Sequence, residues 1–292
     1  MTTCRKILTA VDLGSDTEKV LAYALWLARS GGGKDAEVHL LHVMDYALTP
    51  PAYMMPYLEK EKEADRALLQ EWEQRISAQG VRAGHTIAAG RLAETFASCF
   101  RELSSDILVL GYQSHLIRPS SSERLIRSLA VPLLVVRGEK AEKASLGAVE
   151  VKRIVCAVDF SENSRKAAET ARSLAEKNAA GLTIVHAVSS LALEKSFAKL
   201  REVSEAEKDE YTRHLLREAE ENICSFLRGC SEVENFVTIG VPYKAINQTA
   251  AERNADLIIM GARGTSRIRE VLIGSVSEAV IRSSPCPVLI VR

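Results

Sequence analysis

The sequence predicts an α/β chain made of two tandem doubly wound domains, each a five-stranded parallel sheet flanked by about four helices. Three observations carry this. Short runs rich in β-branched residues are apolar nearly throughout, as strands buried on both faces are. Longer amphipathic stretches separate them, and strands alternating with helices read as βαβ units. The whole pattern also occurs twice, at an offset of about 150 residues, the size of a domain rather than of a solenoid repeat.

The second half shows the elements most clearly. Its predicted strands are Arg153–Val158, Leu182–Val188, Val233–Ile239, Asp256–Met260 and Pro287–Val291. Between the first two, Asn163–Asn178 places Ala167, Ala168, Ala171, Leu174 and Ala175 on one helical stripe. Glu202–Leu227 is a long, highly charged helical stretch, followed by Tyr243–Arg253 and Val271–Arg282. In the first half, Lys6–Asp12 parallels Arg153–Asp159, and Leu40–Val43 parallels Ile184–Ala187. Asp106–Gly111 parallels Asp256–Gly261, and Val131–Arg137 parallels Cys286–Arg292. Gly138 to Glu150 is polar and charged and has no pattern that would build an element. The expected domains are therefore 1–138 and 151–292, with 139–150 as a linker.

Composition narrows the function classes. Of the 292 residues 47% are apolar and 26% charged, ordinary globular values that argue against disorder. Thirty-eight basic residues balance 38 acidic ones, which gives no electrostatic case for nucleic acid or an anionic membrane. Apolar runs such as Leu129–Val136 are far shorter than the ~18 residues of a membrane span. The first ten residues contain no apolar core of a secretory signal, so a cytoplasmic location is expected. Six cysteines (Cys4, Cys99, Cys156, Cys224, Cys230 and Cys286) form no C-x-x-C pair and read as reduced, mostly buried thiols. No cysteine–histidine set has zinc-site spacing.

In doubly wound sheets ligands bind beyond the carboxyl ends of the strands, where the strand order reverses. After the first strand of the second half comes Asp159-Phe160-Ser161; after the fourth comes Gly261-Ala262-Arg263-Gly264. Gly274-Ser275-Val276-Ser277 precedes the last helix, completing Gly261-x2-Gly264-x9-Gly274-Ser275. Glycines permit positive φ and close approach of backbone to ligand, and amides at a helix N-terminus bind anions. The hydroxyls of Ser275 and Ser277 are expected to donate hydrogen bonds, and Arg263 and Arg267 to add positive charge. Taken singly, these glycines read as turn residues and Ser275 as a helix N-cap. Asp159 could cap the following helix, and His186 reads as a satisfied histidine at a strand end. Ser30-Gly31-Gly32-Gly33-Lys34-Asp35 lies at the wrong end of its strand for a ligand and reads as a helix C-cap and connection. Neither a Walker A loop nor a G-x-S-x-G nucleophile elbow is present.

These motifs resemble the universal stress protein family, in tandem form and over nearly the whole chain. The resemblance rests on Ala157-Val158-Asp159, Val185-His186-Ala187, Gly240-Val241-Pro242 and the ungapped glycine pattern. It implies an adenine nucleotide alpha hydrolase-like fold and ATP as ligand, with Mg2+, if present, carried by the phosphates. It places adenine and ribose near Ala157, Asp159, Ala187, Gly240 and Gly261. It places phosphates on Gly264, Gly274, Ser275, Val276 and Ser277; Val158, Met260 and Arg263 complete the expected set. Position 187, often valine in the family, is alanine here, which loosens the expected adenine contact.

The first half departs from the pattern. Asp12 and Gly111 persist, but Ser114 stands where Gly264 is expected, and Pro119 and Ser120 stand for Gly274 and Ser275. The stretch from Gly111 to Pro132 is about five residues shorter than its counterpart. One nucleotide site per chain is therefore expected, in the second half. A different ligand in the first half, using Ser120, Ser121 and Ser122, is an alternative to a plain polar loop. No catalytic constellation is evident, so the leading reading is a cytoplasmic ATP-binding regulatory or stress-response protein. A slow ATPase, an adenylyl-transferring enzyme and a nucleotide-free interaction module are the alternatives. The apolar terminal strands suggest an internal pseudo-dimer of the halves or a homodimer. Asp45–Glu63 and Ser189–Glu210 are the candidate surfaces for an unknown protein partner.

Overall fold

A computed structural model describes residues 4–45, 55–113, 120–199, 204–227, 233–264 and 272–292. It divides into two units, Met1–Glu150 and Val151–Arg292. In the first, strands β1 (Lys6–Ala10), β2 (Glu37–Asp45), β3 (Arg82–Gly90), β4 (Ile107–Gly111) and β5 (Leu133–Val136) run in the order β3-β2-β1-β4-β5, all parallel. In the second, β6 (Arg153–Ala157), β7 (Gly181–Ser189), β8 (Glu234–Gly240), β9 (Leu257–Gly261) and β10 (Val288–Val291) repeat it as β8-β7-β6-β9-β10. The order turns back between the first and fourth strands of each unit. β4, β5, β9 and β10 bury nearly every residue, which is why they read as unbroken apolar runs.

The repeated aspartate before the fourth strand has a structural role. Asp106 Oδ2 accepts the amides of Arg5 and Lys6 at 2.7 and 2.9 Å. Asp256 Oδ2 accepts those of Lys152 and Arg153 at 2.9 and 3.0 Å. Each carboxylate ties the start of the first strand to the fourth, satisfying amides that no neighbouring strand reaches.

The first unit carries α1 (Thr17–Leu27), α2 (Met55–Ser77), α3 (Leu92–Glu102), α4 (Ser121–Ser128) and α5 (Glu139–Glu142). The short α5 corrects the reading of 139–150 as a patternless linker. Glu142 holds Lys19 of α1 at 2.5 Å, and the amide of Leu146 donates to Glu18 at 3.4 Å, so this segment is tied to the first unit. The Ser30–Asp35 stretch is one π turn and one 3₁₀ turn closing α1, with Gly33 left-handed at φ 63°. Among the described residues the second unit has α6 (Glu162–Asn178), α7 (Ser190–Lys199), α8 (Glu205–Phe226), α9 (Pro242–Glu252) and α10 (Ser275–Ser283), in keeping with a sheet flanked by about four helices. α8 starts later than the charge pattern suggested. Ser204 and Glu207 close a capping box there, each accepting the other's backbone amide.

Cys4, Cys156 and Cys286 are buried and Cys99 is half-buried, whereas Cys224 is exposed; Cys230 lies outside the described residues. Burial pushes the Cys156 thiol up to about 12. Brief labelling of the native protein near pH 8, read by peptide mass spectrometry, should modify Cys224 and spare Cys156. A second expectation concerns His39, whose Nε2 lies 2.8 Å from Thr86 Oγ1. Burial holds its pKa below 6.5, so the unfolded chain binds the extra proton and stability falls as pH drops through 6.5. Unfolding free energies measured at about pH 7.5 and about pH 5.5 should differ less in His39→Asn than in the wild type.

Candidate functional site in the second unit

The site begins with the turn after β6. Val158 donates its amide to Val185 O at 2.9 Å, and its carbonyl accepts His186 Nδ1–H at 2.8 Å. A carbonyl only accepts, so this bond fixes the histidine tautomer. Phe160 then turns left-handed at φ 62°, a strained position for a bulky residue. Its ring is held 4.6 Å from the His186 ring and 5.6 Å from that of Phe226. Across this turn Asp159 Oδ1 accepts the Ser161 amide at 3.1 Å. Ser161, not Asp159, caps α6, accepting the Ser164 amide at 3.2 Å. The Ser164 hydroxyl donates to Ser161 O at 2.9 Å and accepts the Asp159 amide at 3.4 Å. Three polar side chains thus fold one turn and present Asp159 at the strand end.

The opposite wall follows β9. A β-carbon at Gly261 would come within 2.9 Å of both the carbonyl carbon and Cβ of Asn163, and one at Gly264 would run into the Asp159 carboxylate. At Gly274 an added methyl meets only ordinary contacts, 3.4 Å or more away. None of the three takes a positive φ, contrary to expectation: Gly261 and Gly264 are needed for close approach between strand-end segments. Gly274 is the N-cap of α10, so Ser275 is the first helical residue rather than the cap. Having no side chain, this cap covers none of the first-turn amides. The Gly274 amide itself is bonded to Ala262 O at 2.7 Å. The buried Ser277 hydroxyl donates to Gly261 O at 2.9 Å, which corrects the expectation that it faces a ligand as a donor.

Between the walls lies a cavity of about 270 Å³. It gathers Ala157, Val158, Asp159, Ala187, Met260, Gly261, Arg263, Gly264, Gly274, Ser275, Val276 and Ser277. Gly240, which ends β8, is not among its lining residues, although Pro242 just after it is. Arg267 lies outside the described residues. Val185 and Pro242, which the sequence marks only as motif members, also line the cavity, as do Ser164 and Ile246, which it does not single out. Ser164 had a signal, three residues after a serine that opens a helix; Pro242 and Ile246 share one face of α9 at i and i+4. One end of the cavity is apolar. The other combines Arg263 with the N-terminus of α10, the positive end of a helix dipole. Arg292 adds to this field: burial and the adjacent Arg263 lower its pKa to about 10. The chemistry suits a ligand with a flat apolar part and an anionic part.

The model of the universal stress protein family matches residues 3–137 and again 150–292. The chain belongs to the universal stress protein family. A Staphylococcus aureus (strain USA300) protein carrying the family's name is 34% identical over 150 residues, 49% of this chain and 86% of its own length. A universal stress protein from Archaeoglobus fulgidus aligns over 98% of this chain and 96% of its own, with a TM-score of 0.69 at 24% identity. A functionally unknown protein from Pseudomonas aeruginosa PAO1 aligns over 99% and 93%, with a TM-score of 0.61 at 17% identity. At those identities the two structures speak to the fold alone.

The two universal stress units differ at one helix start. In the first unit, α4 is capped by Ser120, whose Oγ accepts the Glu123 amide at 3.2 Å while Glu123 accepts the Ser120 amide at 3.2 Å. The Tyr112 hydroxyl donates to the same carboxylate at 3.1 Å. This helix start is therefore held by a reciprocal Ser120–Glu123 pair, whereas Gly274, the N-cap of α10, has no side chain to offer. Ser114 and Pro119 lie outside the described residues. Among the described residues of both units, no group of three His, Cys, Asp or Glu side chains is placed to hold a metal ion. No helix there is long and apolar enough to cross a membrane.

The packing separates the glycines in stability. Gly261→Ala overpacks the junction with α6 and should cost about 1–3 kcal/mol. Gly274→Ala changes only a cap and should cost about 1 kcal/mol or less. Denaturant unfolding of the two variants checks this; equal costs would contradict the geometry.

Proposed function

We propose that the second unit binds an adenine nucleotide, with ATP as the ligand. The observation that carries this reading is the uncapped N-terminus of α10 beside Arg263 and Arg292, facing Asp159 across one cavity. In this reading the base lies against Ala157, Ala187, Ile246 and Met260, and Asp159 accepts from the ribose hydroxyls. The phosphates take the amides of Ser275, Val276 and Ser277 and the guanidinium of Arg263. Any Mg2+ rides on the phosphates. Binding without rapid turnover is the activity, and occupancy changes a surface that a partner reads, as a regulatory ligand does. Family membership supports a stress-response role, and a cytoplasmic setting fits a free thiol such as Cys224.

Nucleotide released from the purified, denatured protein and identified by mass spectrometry, with ATP titration of wild type and Gly274→Ala, tests this. One ATP per chain is expected, with affinity reduced at least about tenfold in the variant, whose fold is preserved. Two ATP per chain would refute the single-site reading, and no binding at all would refute the nucleotide role.

A further inference from the structure

The second unit holds another cavity, of about 220 Å³, between α6, the end of α8 and strand β7. It shares no lining residue with the strand-end cavity. Leu182 and Ile184, two apart on β7 and so on one face of the sheet, form its floor with Phe226 and Val233. One stripe of α6 supplies Arg165, Ala168, Glu169 and Arg172. Ala168 is buried, whereas Glu169 and Arg172 are exposed and stand at the mouth.

The first unit lacks this arrangement. At the spacing that separates Asp12 from Asp159 and Leu13 from Phe160, the same stripe of α1 reads Glu18, Leu21, Ala22 and Leu25. Leu21, Ala22 and Leu25 are fully buried there. In the second unit an alanine stands for Leu21, which leaves space, and two charged residues stand for Ala22 and Leu25. Protein interiors keep few voids larger than a water molecule, and an apolar cavity of ~150 Å³ is enough to hold benzene.

The walls set the ligand chemistry. The Arg165 guanidinium lies 4.6 Å over the Phe226 ring, and the Phe160 ring meets Phe226 edge-on at 5.6 Å, so the aromatic wall is held from both sides. Arg165 Nε is 3.6 Å from Glu162, and its Nη1 donates to Phe226 O at 3.4 Å. Both contacts are long, and a guanidinium has five N–H donors, so capacity remains for a carboxylate. Arg172, paired with Glu176 at 3.1 Å, adds positive charge nearby, against the single acid Glu169. An anion leaving water needs such a partner.

We propose that this cavity binds a small apolar monocarboxylate, its hydrocarbon part against Leu182, Ile184 and Phe226 and its carboxylate on Arg165. Octanoate, 1-octanol and octylamine, each titrated into the full chain and followed through methyl NMR signals, test this. Octanoate should shift the Leu182, Ile184 and Val233 methyls saturably, at least about tenfold more tightly than 1-octanol, and octylamine should leave them in place. Ala168→Leu, which puts the first unit's leucine into the cavity, should abolish the octanoate shifts. Arg165→Gln should bring octanoate down to the level of 1-octanol. Glu169→Gln removes an exposed acid from the mouth and should tighten octanoate about threefold while leaving 1-octanol unchanged. The two charge variants decide the matter even if Ala168→Leu does not fold. Absent or non-saturating shifts, octylamine binding as well as octanoate, shifts that persist in folded Ala168→Leu, or an octanoate affinity unchanged in both charge variants would overturn the proposal.

Discussion

Everything at the strand-end cleft of each unit depends on the point where the strand order turns back. Between β1 and β4, and between β6 and β9, the chain leaves adjacent parallel strands toward opposite faces of the sheet, so a cleft opens above them. The cleft keeps its shape only if the flanking segments pack closely at its base. Gly261 meets the start of α6 so tightly that a β-carbon would sit 2.9 Å from Asn163, and at Gly111 one would sit 3.1 Å from Val20 of α1. Both units therefore end the fourth strand with the one residue that has no side chain. The strained turn opposite, with Leu13 at φ 61° and Phe160 at φ 62°, is held by histidine–carbonyl bonds of 2.9 and 2.8 Å. Local strain is offset by contacts that exist only in the assembled unit.

Much of this was legible in the sequence. Strands buried on both faces announced themselves as apolar runs, and the repeated Asp106 and Asp256 marked where the fourth strands begin. The glycine spacing pointed to the strand ends of the second unit, and the structure brings those residues to one cavity. What the sequence hid was which group satisfies which. Spacing alone cannot say that Ser277 turns its hydroxyl to Gly261 O, or that Pro242 rather than Gly240 lines the cavity. The glycines also look alike in sequence. Only coordinates separate Gly261 and Gly264, needed for close approach, from Gly274, whose site accommodates a methyl group. The short α5 was missed because four residues of polar helix carry no periodicity to read.

The difference between the two units comes down to one residue of helix register. Counted back from Pro132 and Pro287, Glu123 and Glu278 occupy the same place. Yet α10 begins at Ser275, one residue earlier in that register than α4, which begins at Ser121. Glu123 is therefore the third helical residue, the position from which a carboxylate reaches back to the cap, and it closes the helix with Ser120. Glu278 is the fourth, cannot close the box, and pairs with Arg282 at 3.2 Å. A helix end needs its amides satisfied, by side chains, by water or by a ligand. In the first unit the Ser120 hydroxyl takes one first-turn amide, that of Glu123, and the Glu123 carboxylate takes the Ser120 amide. Gly274 has no side chain with which to do the same for α10. The two units thus differ by one residue in where this helix starts and by a side-chain cap, with the sheet order, the strained turn and the close glycine contact shared by both.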